Sequence, residues 1–219
     1  MTNNPKSPFI LAGCGCASLI ASIVLFAASW WMGTRGGAAA GDLVQYRNTR
    51  EGRSGNLAES YVGFELSYPE SWTLKSEGDD TNFVSIERSV DSRTWENLNV
   101  GYFKTAGTPE RNASLYGQLI ASLESQFAQQ FPGLRRVYAR DTKVGDYDAR
   151  EGLFHANVTA DGQPVDVYIR AVLLPTPDGT KGVTLLMMGT SYHPDLKEPD
   201  DLGTRGELPI VLESFRFTE

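Results

Sequence analysis

Histidine, the side chain most often used for acid–base and metal chemistry near neutral pH, occurs only twice in this chain of 219 residues, at His155 and His193. His155 falls in the middle of a predicted strand, where we interpret it as a sheet residue whose hydrogen bonds are satisfied. His193 falls in a polar loop 38 residues further on. Zinc sites often add cysteine ligands, but Cys14 and Cys16 both lie in an apolar segment near the amino terminus. The histidines therefore predict neither a metal site nor a catalytic base.

Two acidic turns carry oxygen atoms that could bind Ca²⁺, at Gly78-Asp79-Asp80 and Glu198-Pro199-Asp200-Asp201. Neither has the ligand spacing of a calcium loop, so we interpret both as exposed acidic turns. The sequence also contains no glycine-rich phosphate loop, no nucleophile elbow and no zinc-protease helix motif. We therefore predict a protein that is not an enzyme, with no catalytic, cofactor-binding or metal-binding residues.

The charge of the chain limits its partners. The formal net charge is −7, with 41% hydrophobic and 21% charged residues, which is typical of a folded protein with an acidic surface. Sequence-independent binding of nucleic acid needs a cluster of basic residues. The acidic residues are instead spread along the chain, so we expect no nucleic-acid partner.

An uncharged segment near the amino terminus predicts a membrane anchor. Ser7 to Thr34 contains no charged residue, and Phe9 to Met32 provides 24 apolar or small residues. A helix needs about 20 residues to cross the hydrocarbon core. Trp30 and Trp31 end the segment, where indole rings favour the headgroup region. We therefore predict a tail at 1–8 and one transmembrane helix at 9–32.

Two other interpretations of this segment remain open. Ala38-Ala39-Ala40 could serve as the cleavage site of a signal peptide, although the apolar run exceeds the roughly 7–15 residues of a signal core. Leu11-Ala12-Gly13-Cys14 resembles a bacterial lipobox, but most of the apolar run follows the cysteine instead of preceding it.

Small side chains recur at four-residue intervals along one side of the predicted span, whereas Leu19, Ile20, Ile23 and Val24 gather largely on the other. Helices in lipid associate through close backbone packing, which small side chains permit. We predict that the small face packs against helices of other membrane-protein subunits. Its residues are Gly13, Cys14, Ala17, Ser18, Ala21 and Ser22.

The orientation of the span follows from two opposing signals. Arg35 and three arginines further along the chain would keep the domain in the cytoplasm by the positive-inside rule, against Lys6 alone on the other side. However, those three arginines lie 15 or more residues beyond Met32, and a short tail before a signal-like apolar run usually stays inside. We expect a single-pass protein of the bacterial cytoplasmic membrane, with its domain in the periplasm or outside the cell.

A change in residue pattern separates a linker from a folded domain. Residues 33–60 contain six glycines and little apolar periodicity, which predicts a flexible linker. From Tyr61 the pattern alternates, with Phe64, Leu66 and Tyr68 on one face of a strand. Further strands follow near 84–86 and 98–102. Apolar residues then recur at three- and four-residue steps, which predicts a helix at 113–131 with Asn112 as its N-cap.

The remaining segments predict mostly antiparallel strands. Strands are expected at 134–140, 148–160, 163–174 and 182–190, then a short helix at 208–213 and a last strand at 215–217. Val183 to Met188 is apolar at nearly every position, so both faces of this strand should be covered. The predicted fold class is α/β (α+β), a mainly antiparallel sheet between helices that spans 61–219.

Two short motifs give a family resemblance. The stretch 63–72, which reads Gly-Phe-Glu-Leu-Ser-Tyr-Pro-Glu-Ser-Trp, resembles the opening of the PsbP-like superfamily, and the stretch 210–217, Ile-Val-Leu-Glu-Ser-Phe-Arg-Phe, is similar to its closing helix and strand. The resemblance implies an α/β/α sandwich without enzymatic activity, which docks on, stabilises or helps assemble other proteins. Within the motifs, Pro69, Trp72 and Phe215 are expected to serve the fold.

These observations favour a non-catalytic accessory subunit or assembly factor of a membrane-protein complex. The alternative is an anchored extracytoplasmic domain that senses a small ligand or ion. The lack of a coherent set of catalytic residues disfavours a third possibility, a hydrolase.

The topology can be tested by labelling. A cysteine introduced at Gly41 should react with an impermeant thiol reagent added to intact cells, because the apolar run is signal-like. Labelling that occurs only after cell lysis would place the domain in the cytoplasm.

Overall fold

The computed structural model describes residues 42–78, 81–160 and 162–218. The predicted span 9–32 lies outside these residues, including the small face (Gly13, Cys14, Ala17, Ser18, Ala21, Ser22) and the interfacial anchors Trp30 and Trp31. Within the described ranges, no helix has both the length and the apolar character needed to cross a bilayer.

Ten strands and three helices follow one another along the described chain, together with a short 3-10 turn at Pro199–Asp201. In chain order they are β1 (Leu43–Asn48), α1 (Gly55–Glu59), β2 (Phe64–Pro69), β3 (Thr73–Ser76), β4 (Asn82–Val90), β5 (Arg93–Phe103), α2 (Pro109–Gln130), β6 (Arg135–Val144), β7 (Tyr147–Ala160), β8 (Gln163–Pro175), β9 (Gly182–Thr190), α3 (Leu208–Ser214) and β10 (Arg216–Phe217).

The strands form two antiparallel sheets. The large sheet has seven strands in the order β3-β4-β5-β9-β8-β7-β6, and the small sheet has the order β1-β2-β10. Strands β6 to β9 are consecutive neighbours, each antiparallel to the next. The expectation of a mainly antiparallel α+β fold is confirmed.

Two separate cores lie on the two faces of the large sheet. On one face, the apolar side of α2 packs Leu119, Ile120, Leu123 and Phe127 against the sheet. On the other face, the small sheet and α3 supply the cover. The main side chains of this second core are Phe64, Leu66, Val84, Ile86, Leu98, Val100, Leu185 and Phe215.

The cover of the second face differs from the helices expected from the sequence. All nine residues of β9 are buried, as its apolar run predicted. On this side, however, β2 turns Phe64, Leu66 and Tyr68 inward. Since alternate residues of a strand share one face, the small sheet presents a continuous apolar surface and takes the place of a second long helix.

The start of the fold also differs from the predicted flexible linker at 33–60. Residues Leu43–Asn48 form β1, which pairs with β2 along its whole length. The Tyr46 hydroxyl donates to the Phe83 carbonyl oxygen at 3.1 Å, and Asn48 Nδ2 donates to the Val62 carbonyl oxygen at 2.7 Å. Only two of its six residues are buried, and one of these is the polar Asn48. The strand therefore shows no apolar alternation in the sequence.

The start of α2 is another correction. Thr108 is the N-cap, and its side chain accepts a hydrogen bond from the Arg111 N–H at 3.4 Å. Asn112, the predicted N-cap, is buried inside the helix, where its Oδ1 accepts from the Ala106 N–H at 2.6 Å. Proline favours the first turn of a helix, so Pro109 was the better indicator of this boundary.

Trp72 should contribute strongly to stability, because the predicted burial is confirmed: its side chain is 4% exposed, and Nε1 donates to Glu207 Oε2 at 2.6 Å. We expect Trp72→Ala to lower the free energy of unfolding by roughly 3–5 kcal/mol. Trp72→Phe keeps an apolar ring but loses a hydrogen bond to a charged acceptor, and should cost about 1–3 kcal/mol. Urea unfolding of the detergent-solubilised chain measures both. A loss below about 1 kcal/mol for the alanine variant would contradict a core role.

Candidate functional site

Two buried carboxylates lie under the segment 191–207, which joins β9 to α3. Glu96 on β5 and Glu151 on β7 are both fully buried. A buried carboxylate is costly unless hydrogen-bond donors or cations surround it. We call the two surroundings the Glu96 site and the Glu151 site, since each holds one part of this segment against the large sheet.

Glu96 has fewer hydrogen-bond donors around it than a fully buried carboxylate normally has. Its Oε2 atom accepts a hydrogen bond from the Glu207 N–H at 3.0 Å, whereas Oε1 has no hydrogen-bond partner among the described residues. Burial raises the pKa of Glu96 to about 7; the nearby charge of Glu207 adds to this, while the Glu207 and Leu208 backbone N–H groups and Arg88 oppose it. The carboxyl group is therefore poised to gain or lose a proton near neutral pH.

His193 lies beside Glu96 as a neutral ring. The Asp195 N–H donates to His193 Nδ1 at 3.0 Å, so a neutral imidazole carries its proton on Nε2. Nε2 is 3.6 Å from Glu96 Oε2. Burial, and then the charge of Arg88, lower the pKa of His193. The ring also contacts Trp95 edge-to-face, with 4.9 Å between centroids.

Glu207 connects the start of α3 to the large sheet. Its Oε1 pairs with the Arg88 guanidinium of β4, and its Oε2 accepts from the Trp72 indole. Arg88 in turn lies over the Trp95 ring at 4.8 Å. The side chain of Glu207 is thus fully paired, while its backbone N–H serves Glu96.

The approach of the chain to Glu96 requires a glycine. Gly206 has a φ of +72°, and a Cβ atom there would lie 2.5 Å from Glu96 Oε1. A side chain at this position would be both strained and in collision with the carboxylate. Gly206 therefore allows the backbone to pass directly over the Glu96 site.

The Glu151 site contrasts with the Glu96 site because both carboxylate oxygens are paired. Arg140 Nε donates to Oε1 at 2.7 Å, and Arg170 Nε donates to Oε2 at 2.6 Å. Arg170 also donates from Nη1 to the Leu202 carbonyl oxygen at 3.1 Å. This bridge ties the segment 191–207 to β7 and β8.

The other residues considered in the sequence occupy structural positions. His155 Nε2 lies 2.7 Å from Asp166 Oδ1, and Nδ1 lies 3.1 Å from the Arg135 guanidinium. The turn 198–201 is not simply exposed, since Asp201 is buried and accepts from the Lys197 N–H at 2.8 Å. Asp79 and Asp80 lie outside the described residues. In the part of the chain that is described, no three His, Cys, Asp or Glu side chains come together as a possible metal site.

Sequence reasoning missed both buried glutamates, although a signal was present. Glu96 shares strand parity with Leu98 and Val100, and Glu151 shares it with Leu153. A charged residue on the apolar face of an alternating strand indicates a buried charge that must find a partner. Glu96 is fully buried, and this burial raises its pKa to about 7. The chemistry that the Glu96 site supports is therefore the binding and release of a proton.

The pKa of Glu96 predicts a pH dependence of stability. Between pH 4.5, the ordinary pKa of glutamate, and about 7, the folded state keeps a proton that the unfolded state has released. The free energy of unfolding therefore falls as the pH rises through this range, by about 3 kcal/mol from this group alone. Glu96→Gln removes this component, so its stability relative to the wild type should increase between pH 5 and pH 8 in urea unfolding.

Glu151→Gln is the matched control, because it removes the same charge from a site where both oxygens are paired. It should be less stable than the wild type at both pH values. Parallel pH profiles for the wild type and Glu96→Gln would contradict the assignment of the titrating group.

No protein-family model and no curated protein sequence matches the chain. Similar solved structures include LpqN, described as involved in cell envelope biogenesis of Mycobacterium tuberculosis, at 12% identity and a TM-score of 0.45, covering 81% of this chain and 92% of LpqN. They also include cyanobacterial PsbP (CyanoP) from Synechocystis sp. PCC 6803, at 15% identity and a TM-score of 0.48, covering 85% of this chain and 99% of CyanoP. Both TM-scores lie below 0.5.

Proposed function

We propose that this chain is a non-catalytic, membrane-anchored accessory protein that stabilises or helps assemble a membrane-protein complex. The observation that carries the proposal is the early start of the fold. Strand β1 begins at Leu43, so only ten residues separate it from Met32, where the predicted span ends. The linker predicted at 33–60 is therefore reduced to residues 33–42.

A short tether keeps the domain at the membrane surface. Ten residues reach at most about 35 Å when extended, and span about 17 Å as a flexible coil. A folded domain of about 175 residues has a radius of gyration of about 16 Å. The length of the tether is thus comparable to the radius of the domain. The natural partners of the domain are therefore proteins embedded in the same membrane.

The Glu96 and Glu151 sites support a docking role. Their charged side chains fix the segment 191–207 on the sheet, so a long loop is held in one conformation. A surface that is ordered before binding loses less conformational entropy when a partner docks.

One observation favours a second candidate function, an anchored domain that senses an ion. Glu96 can take up a proton near neutral pH, in contact with the start of α3. In this case the bound ion is the proton, and α3 is the element whose contacts change.

The accessory role predicts a partner that depends on the small face of the span. We expect the full chain, purified in mild detergent, to retain a stoichiometric membrane protein identified by mass spectrometry. Gly13→Leu combined with Ala17→Leu should weaken this retention, because larger side chains prevent close helix packing.

The matched control is Ile20→Leu combined with Ile23→Leu, which conserves volume on the opposite side of the helix. Equal retention by the two pairs of variants would show that the span is merely a tether. Purification of the chain without any partner would contradict the accessory role and favour the sensor.

A further inference from the structure

The amino-terminal end of β1 exposes two adjacent apolar side chains. Leu43 is 54% exposed and Val44 is 37% exposed. They point to opposite faces of the strand, yet both are open because β1 is an edge strand paired only with β2. The other large apolar side chains with comparable exposure in the described ranges lie singly on separate elements, namely Leu74, Val137 and Ile210.

The charge along β1 and the turn after it differs from the rest of the chain, although the charged residue next to Leu43 is the acidic Asp42. Residues 42–53 carry three arginines and two carboxylates, in a chain that has 27 acidic and 20 basic side chains. Arg53 is held within the fold by the Glu77 carbonyl oxygen, the Tyr46 hydroxyl and Asn48. Arg47 and Arg50 are exposed, and Arg50 lies over the Tyr61 ring at 5.1 Å. No carboxylate of the described residues forms an ion pair with either arginine.

We propose that the amino-terminal end of β1 is a lipid-contact site, where Leu43 and Val44 insert among the headgroups of the bilayer that holds the predicted span. The inference rests on the proposed anchored function and adds the surface by which the domain lies on the membrane. The ten-residue tether brings this end close to the bilayer. The transfer of apolar side chains out of water lowers the free energy. The guanidinium groups of Arg47, on β1, and of Arg50, just beyond its other end, can pair with lipid phosphates.

Lipid contact at β1 has consequences for two other surfaces, the edge of the small sheet and the segment 191–207. An exposed edge strand tends to pair with other chains, and insertion of the amino-terminal end of β1 among the headgroups covers the start of this edge. The segment 191–207 then remains accessible to a protein partner, since it lies over a different part of the large sheet.

Depth-dependent quenching tests the site. Leu43→Cys and Val137→Cys, each in a Cys14→Ala and Cys16→Ala background, are labelled with an environment-sensitive dye. The full chain is reconstituted into vesicles of phosphatidylcholine and phosphatidylglycerol that carry a headgroup-linked quencher. Val137 is the matched control, because it is 37% exposed on β6, the last strand of the large sheet. We expect a blue shift and quenching at position 43, and neither at position 137.

Two further arms separate the outcomes. Arg47→Gln combined with Arg50→Gln should reduce the quenching at position 43. In these variants the quenching should also no longer increase with the fraction of phosphatidylglycerol in the vesicles. If position 43 stays unquenched in vesicles, or becomes protected only when a co-purified protein is added, the lipid-contact site is wrong. Alkaline carbonate extraction checks anchoring independently: release of the chain would overturn the anchored function, whereas an anchored chain with an unquenched position 43 would overturn only this inference.

Discussion

Strand β9 lies at the centre of the large sheet and buries all nine of its residues, so neither face of this sheet can be left open to water. The chain meets this requirement with elements from three places. The middle of the domain supplies α2 for one face, and its two ends supply β1, β2, α3 and β10 for the other. Because β1 and β10 flank the same strand, the first and last parts of the domain complete a single cover.

The apolar cover does not extend over the whole second face of the large sheet. Where it ends, charged side chains hold the segment 191–207 on the sheet. The segment 191–207 offers few apolar side chains, with Leu196 and Leu202 buried against the sheet near Gly189. Ion pairs and hydrogen bonds therefore hold it. Both carboxylate oxygens of Glu151 are paired, whereas Glu96 leaves one oxygen unpaired. The same segment is thus held by paired charges at one site, and at the other by a carboxyl group whose pKa burial raises to about 7.

The sequence predicted those elements whose side chains repeat with a clear period. Phe64, Leu66 and Tyr68 identified β2, and the spacing of apolar residues identified α2, because burial on one face produces these patterns. Strand β1 escaped prediction because Asn48 breaks its short alternation. The Glu96 site could be suspected from strand parity, but its partners could not be named. Trp72 and Glu207, for example, are 135 residues apart, and only the folded topology brings them together.

The position of β1 at the edge of the small sheet has a mechanical consequence. Pairing between β1 and β2 begins at Leu43 opposite Pro69 and ends at Asn48 opposite Phe64. A force on Leu43 directed across the strand, away from β2, would therefore separate the hydrogen bonds one after another from the outermost pair, whereas a force along the strand would shear all of them at once. Release of the six residues would free about 20 Å of extended chain while β2 kept its pairing with β10. Because Tyr46 belongs to the second core, release of β1 would also open that core along one edge, so the strand and this side of the fold would loosen together.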